Sequence, residues 1–242
     1  MKTSIYCLFA LLLCSLPVLG SASQITIFDN QGVNSTEDQE VEPGAISSQE
    51  WDLEGMFFDG RYLSIVGGWD FVSVNGGIGS GDIFISTRGN VIYGETTPSN
   101  NLLNYYGYNY VFDVDWQNRN YSLLKINAET RVTLGSGLTT SNPVSYYSDD
   151  NYNNNGELIH TGTFTYESDL TDDQTGFKGG KHYKVSEFDL SGILDSNGSF
   201  IAHFTQECGN DSIMGQVPEP ATMILLGMGL LGISTIARKF PL

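Results

Sequence analysis

From Tyr108 to Trp116 the sequence reads YNYVFDVDW, and this strict alternation narrows the possible folds more than any other feature. Side chains of a strand alternate between two faces, so Tyr108, Tyr110, Phe112, Val114 and Trp116 fall on one side. Asn109, Val111, Asp113 and Asp115 fall on the other. The period returns in SFIAHFTQEC, where Phe200, Ala202, Phe204 and Cys208 oppose Ile201, His203, Thr205 and Glu207. Here His203 and Glu207 are expected on an exposed polar face. DFVSVN, GDIFIST, TGTFTYES and KHYKVSEF follow the same rule, with Gly-rich or Asn/Asp-rich turns between them. Helical periodicity is nearly absent, and no repeat of 20 to 50 residues is visible. The pattern predicts one all-β domain, an antiparallel β-sandwich or jelly roll.

The two ends follow different rules. Lys2 precedes an apolar stretch from Ile5 to Leu13, then Pro17 and the small residues Gly20, Ser21, Ala22 and Ser23. That order predicts a secretory signal helix over residues 1–23, with Sec export and cleavage by signal peptidase after Ala22 or Ser23. At the other end, Ala221 to Ala237 carries no charge, and as a helix it would reach about 25 Å, enough to span a bilayer core. Gly227, Gly229 and Gly232 suit close packing in a membrane helix. Arg238 and Lys239 follow at once and hold this end in the cytoplasm, a topology signal that places everything before Val217 outside. The chain therefore divides into a signal peptide (1–23), an extracytoplasmic β-domain (24–216) and a terminal segment (217–242) whose transmembrane helix covers 221–237.

Between the domain and that helix lie Val217, Pro218, Glu219 and Pro220. Two prolines around one carboxylate form a short extended segment that joins neither the following helix nor a sheet interior. Pro-Glu-Pro, apolar span and basic end resemble the C-terminal sorting signal of PEP-CTERM proteins, the exosortase substrates of Gram-negative, exopolysaccharide-making bacteria. The resemblance implies an exosortase partner that recognises Val217 to Pro220 and processes the chain there. A membrane-anchored precursor would then pass to the cell surface or extracellular matrix. From about Gly67 to Gly215 the pieces GGWDF, SGDIFIS, YNYVFDVDW and IAHFTQECGNDSIMG also resemble a group of exosortase-anchored surface proteins without known chemistry.

Composition sets limits on partners. Between Gln24 and Gln216 there are 27 acidic and 8 basic side chains, a net charge near −19 that repels nucleic acid and anionic lipid. Five acids and no base fall between Gln31 and Glu50, which reads as a solvated loop or a lead-in to the first core strands. Ser145 to Glu157 reads as a long polar loop. Cys7 and Cys14 leave with the signal peptide, so Cys208 is alone in the mature chain and no internal disulfide forms. The fold must stand on its apolar core.

Candidate chemistry is sparse. Nucleophilic hydrolysis would draw on His160, His182, His203 and Cys208, but no G-x-S-x-G elbow exists. GIGSGD, Gly77 to Asp82, has an aspartate where a dinucleotide loop needs its last glycine. Asp113 and Asp115 lie about 7 Å apart along one strand face, which loosely fits a glycosidase pair or a weak calcium site. Asn151, Asn153, Asn155 and Gly156 begin like an EF-hand loop, but position twelve is Gly162. Thr161, Thr163 and Thr165 form one short threonine row, too little for an ice-binding plane. Tyr105, Tyr106, Tyr108 and Tyr110, near Trp116, are candidates for stacking on a sugar such as exopolysaccharide. The sequence points to an exported, exosortase-processed surface or matrix protein with no catalytic role and no cofactor, structural or adhesive in function. The alternative is a lectin-like carbohydrate-binding module, with or without assistance from calcium, and a glycan hydrolase or ice-binding protein stands further behind.

Overall fold

The computed structural model describes residues 22–29, 46–89, 91–92, 102–135, 141–147, 154–194 and 198–218. Their strands are β1 (Ser23–Gln24), β2 (Thr26–Asp29), β3 (Leu53–Phe58), β4 (Tyr62–Gly67), β5 (Ile83–Ser86), β6 (Tyr110–Asp115) and β7 (Asn120–Lys125). Then come β8 (Val132–Thr133), β9 (Ser145–Tyr146), β10 (Glu157–Thr163), β11 (Thr165–Leu170), β12 (His182–Asp189), β13 (Phe200–Thr205) and β14 (Ser212–Val217). One short helix, α1 (Asp172–Thr175), precedes β12. The strands form a five-stranded sheet in the order β1-β3-β4-β12-β11 and a seven-stranded sheet in the order β10-β7-β6-β5-β13-β14-β2, with β8 and β9 as a separate ribbon. Every pairing in them is antiparallel. The predicted all-β sandwich is the observed architecture.

The sheets share their corners. At Ile25 the chain passes from the five-stranded sheet into the seven-stranded one, its N–H donating to Met56 O at 2.8 Å and its carbonyl accepting from Gln216 N–H at 2.8 Å. At Phe164 it passes back, between β10 and β11. Both corner side chains are buried. Each outer strand is thus half of a longer strand whose other half belongs to the opposite sheet, the corner device of bent sandwiches. Bulges interrupt the pairing at Leu158/His160 on β10 and at Glu167/Leu170 on β11.

Aromatic side chains fill the space between the sheets. Trp116 is the hub: its ring centroid lies 5.3 Å from that of Phe164, 5.7 Å from Phe204, 6.0 Å from Phe71 and 6.1 Å from Phe188. Leu53, Leu63, Ile65 and Val185 from one sheet meet Ile83, Phe112, Leu123 and Ile213 from the other. A bulge in β12 between Val185 and Phe188 puts Glu187 in the left-handed region (φ 74°), and both flanking apolar residues reach the core.

The far face of the seven-stranded sheet is buried too. Phe84, Val111 and Leu124 pack there under Tyr106, Tyr108, Ile126 and Val132, a second apolar cluster formed by the β5–β6 and β7–β8 connections. This cover explains most of the differences from the expected pattern. Tyr108 precedes β6 and joins the second cluster, not the face of Phe112 and Trp116. His203 is 1% exposed, not solvent-facing, because Tyr108 stacks on it with centroids 5.8 Å apart. DFVSVN is a turn rather than a strand: Asp70 accepts from Val72 N–H and Ser73 Oγ, Phe71 is buried in the core, Val72 packs partly against it and Val74 is exposed. TGTFTYES is two strands meeting at the Phe164 corner, so Thr161, Thr163 and Thr165 do not line one strand.

Both ends of the domain emerge together. Val217, the last residue of β14, is opposite Phe200, the first of β13. Gln216 is bonded to Ile25, two residues after Ser23. The residues that follow the predicted signal peptide and those that precede Pro-Glu-Pro therefore share one pole.

Candidate functional site

The sorting segment begins inside the fold. β14 lies between β13 and β2, and its last two residues, Gln216 and Val217, are paired to Ile201 and Phe200. Val217 is half-buried, and the strand stops at exposed Pro218, which has no N–H to continue a ladder. No linker separates sheet from motif. Glu219, Pro220, Arg238 and Lys239, with the apolar run 221–237, lie outside the described residues, as does the signal segment before residue 22. Among the described residues no helix is long and apolar enough to cross a membrane.

The five aromatic candidates for sugar stacking do not form one exposed face. Tyr106 is 1% exposed, Tyr108 2% and Trp116 8%, all packed in the two clusters. Tyr110 is half-buried against the inner core, which leaves Tyr105 exposed by itself. Other partly exposed tyrosines carry the protein's own cations: Arg61 over Tyr62, Arg119 over Tyr166, Arg131 over Tyr147 and Lys181 over Tyr183, at 4.7 to 5.1 Å. A ring so covered has one face less for a sugar.

Asp113 and Asp115 share a face of β6, as expected, but they differ in use. Asp115 caps the β6–β7 turn, accepting from Asn118 N–H at 3.0 Å and from its side-chain amide at 2.8 Å, which together lower its pKa. Asp113 is half-buried and its pKa is raised, first by burial and then by Asp115. The acid that matters more to the fold is Asp82. Its carboxylate accepts from Val114 N–H at 2.9 Å and Tyr146 N–H at 2.7 Å, so one buried side chain ties β6 to the β8–β9 ribbon. Burial, then the neighbouring Asp113, push its pKa well up. Gly81 beside it lies at a backbone crossing, where a Cβ would come within 2.4 Å of Val144 O; this close approach accounts for glycine in GIGSGD. Among the described residues no group of three or more His, Cys, Asp or Glu side chains is arranged to hold a metal ion.

A buried ionisable cluster lies elsewhere, around His182, whose acidic partners nothing in the sequence signals. His182, 0% exposed at the start of β12, sits between Glu54 Oε2 at 2.7 Å from Nδ1 and Asp172 Oδ1 at 3.0 Å from Nε2. Gln49 donates to the other Glu54 oxygen at 2.8 Å. Asp172 begins α1, whose Thr171 and Gln174 form a capping box. Burial raises Glu54 to about 7, opposed by its bonds to Gln49 and His182. Burial would lower His182, but hydrogen bonds to Asp172 and Glu54 outweigh it and raise the pKa. Both ring nitrogens are engaged, so the cluster fastens α1 and β12 to β3. Groups with raised folded pKa values bind protons more tightly in the folded state, and their contribution falls as pH rises through the shifted values. The thermal midpoint should therefore fall between pH 5 and pH 8 through this cluster, and Glu54→Gln should flatten that fall. Equal slopes for both proteins in scanning calorimetry would contradict it.

The remaining candidates are also tied into the fold. His203 Nε2 lies 3.0 Å from Pro143 O, and burial lowers its pKa to about 4, so the ring stays neutral near pH 7. His160 Nε2 is 3.1 Å from Asp189 O. Cys208 is a free, half-buried thiol whose pKa burial pushes up, away from the reactive range.

Fold and ends together define a class: an antiparallel β-domain whose described ends leave one pole, the later of them into a proline-bounded apolar tail. Residues 216–239 match the model of the PEP-CTERM protein-sorting motif, so this chain carries the sorting signal of an exosortase substrate. No curated protein and no solved structure matches the chain. The motif covers the last strand's end and the tail and says nothing of what the β-domain binds.

Proposed function

We propose that this chain is an exported, exosortase-processed surface or matrix protein whose β-domain has a structural or adhesive role and no catalysis of its own. The observation that carries the reading is the sorting motif at 216–239, which starts within the last strand of a folded β-domain. The motif implies export, a membrane-anchored precursor and an exosortase partner. The buried polar groups support the structural half of the proposal: Asp82, Glu54, His182 and His203 are held by backbone or side-chain bonds within the fold. The burial of Tyr106, Tyr108 and Trp116 weighs against a lectin surface at the positions the sequence suggested.

The test is replacement of Glu219 in the producing organism. Glu219→Ala is expected to leave an unprocessed precursor of higher mass in the membrane fraction, with at least a tenfold loss of the surface or matrix form. Unchanged mass and location by immunoblot and mass spectrometry would refute the processing step. Binding of the wild-type protein to the organism's own exopolysaccharide, saturable and reduced by Tyr105→Ala, would instead favour the lectin reading.

A further inference from the structure

The strands that end beside Val217 bound a cavity of about 300 Å³, lined by Thr87, Arg88, Gly89, Ser199, Phe200 and Pro218, among others. Its position is fixed by chain length. From Val217 to Ala221, where the apolar run begins, there are four residues, which span at most about 14 Å fully extended. A bilayer's headgroup zone is roughly 5 to 8 Å deep on each side. With the anchor in place, this pole of the sheet stands at most about 10 Å clear of the headgroup zone.

Arg88 is the unusual group here. In a domain with 27 acids and 8 bases, an arginine without a carboxylate partner is unexpected. Arg61, Lys125, Lys181 and Lys184 each pair with an acid, and Arg119 and Arg131 lie over rings. Among the described residues Arg88, like Lys178, has neither, and its one hydrogen bond is from its backbone N–H to Ser86 Oγ. Arg88 is exposed and lines this cavity with Ser199 and with Thr87, whose hydroxyl accepts from Asn109 Nδ2 at 3.0 Å. A guanidinium fork with hydroxyl donors fits a phosphate. The β5–β6 connection leaves this same pole and exposes Ile92 (47%) and Tyr105 (50%), the side-chain types that enter a lipid interface.

We propose that this cavity, centred on Arg88, holds the phosphate headgroup of a membrane lipid while the C-terminal anchor is in place, and so seats the domain upright on the bilayer. This rests on the anchored-precursor reading. The net charge near −19 repels an anionic surface as a whole, so the local cation decides which pole faces it.

The test uses the full chain reconstituted in phosphatidylglycerol nanodiscs and, separately, in maltoside micelles, which contain no phosphate. Amide exchange at Thr87 to Gly89 and at Ser199 to Ile201 is the readout. Exchange is expected to be at least fivefold slower in nanodiscs, to return to the micelle rate in Arg88→Gln and to be partly restored in Arg88→Lys. Central β14 amides serve as the fold control. Equal rates in lipid and micelle, or protection that survives Arg88→Gln, would overturn the proposal. Protection in micelles on adding inorganic phosphate, without further gain in lipid, would make this a free-phosphate site and overturn the lipid assignment. Co-elution of the chain with nanodiscs reports the anchor separately: a chain that inserts but shows no protection refutes the headgroup site and leaves the anchor intact.

Discussion

Trp116→Ala is expected to destabilise the domain by about 4 kcal/mol, as for other buried Trp or Phe truncations. The indole touches Phe71, Phe164, Phe188 and Phe204, and its Nε1–H donates to Gly81 O at 2.9 Å. Removing it opens a cavity where both sheets and the Phe164 corner meet, and leaves the Gly81 carbonyl without this donor. Domains of this kind are stable by roughly 5 to 15 kcal/mol, so the loss should appear as a large fall in the urea midpoint at unchanged slope. Tyr105→Ala, at an exposed ring, should change stability by less than about 0.5 kcal/mol. The contrast separates a core role from a surface role for this aromatic group. Similar small losses in both variants would return Trp116 to the surface.

Asp211→Ala should cost about 3 to 5 kcal/mol through a different cause, the loss of acceptors for buried N–H groups. Asp211 is 0% exposed; one carboxylate oxygen accepts from Leu53 N–H at 2.7 Å and the other from Ser212 N–H at 2.7 Å. Its own N–H donates to Gln206 Oε1 at 2.8 Å, and Gln206 donates in turn to Trp51 O at 2.8 Å. This run of bonds links the β13–β14 turn to the start of β3, across the two sheets. Asp211→Asn keeps one acceptor oxygen but turns an amide N–H₂ toward a second N–H, and should recover less than half of the loss. A thermal midpoint for Asp211→Ala within a degree or two of wild type would show that water replaces the carboxylate.

How far the sequence discloses this structure depends on which residues carried alternation. YNYVFDVDW, GDIFIST, KHYKVSEF and SFIAHFTQEC alternate or run apolar, and each contains an observed strand. LEGMFF and YLSIVG gave no such signal, because β3 and β4 are buried along almost their whole length and the period of two disappears. The second apolar layer is illegible for a related reason. Nothing in the residues around Tyr106, Tyr108 and Ile126 says that these side chains cover Phe84 and Val111, so His203 and Tyr108 looked like surface groups. The Glu54–His182–Asp172 cluster joins positions 128 and 10 residues apart, and only tertiary structure brings them together. The sorting motif is the opposite case. Its recognition is written in consecutive residues, and the match at 216–239 agrees with what the residues alone imply.

The shared corners bear on how such a protein travels. A chain carried through an aqueous compartment at high local concentration risks joining its neighbours by strand addition, the first step toward insoluble aggregates. Here β1 and β2 offer only two and four residues, and β10 and β11 are broken by bulges and turn into the opposite sheet. Among the described residues a neighbouring copy finds no long, flat row of donors and acceptors on either main sheet. Crowded copies would therefore stay discrete particles, and any association among them must be made by side chains, which salt, pH or enzymatic release can undo.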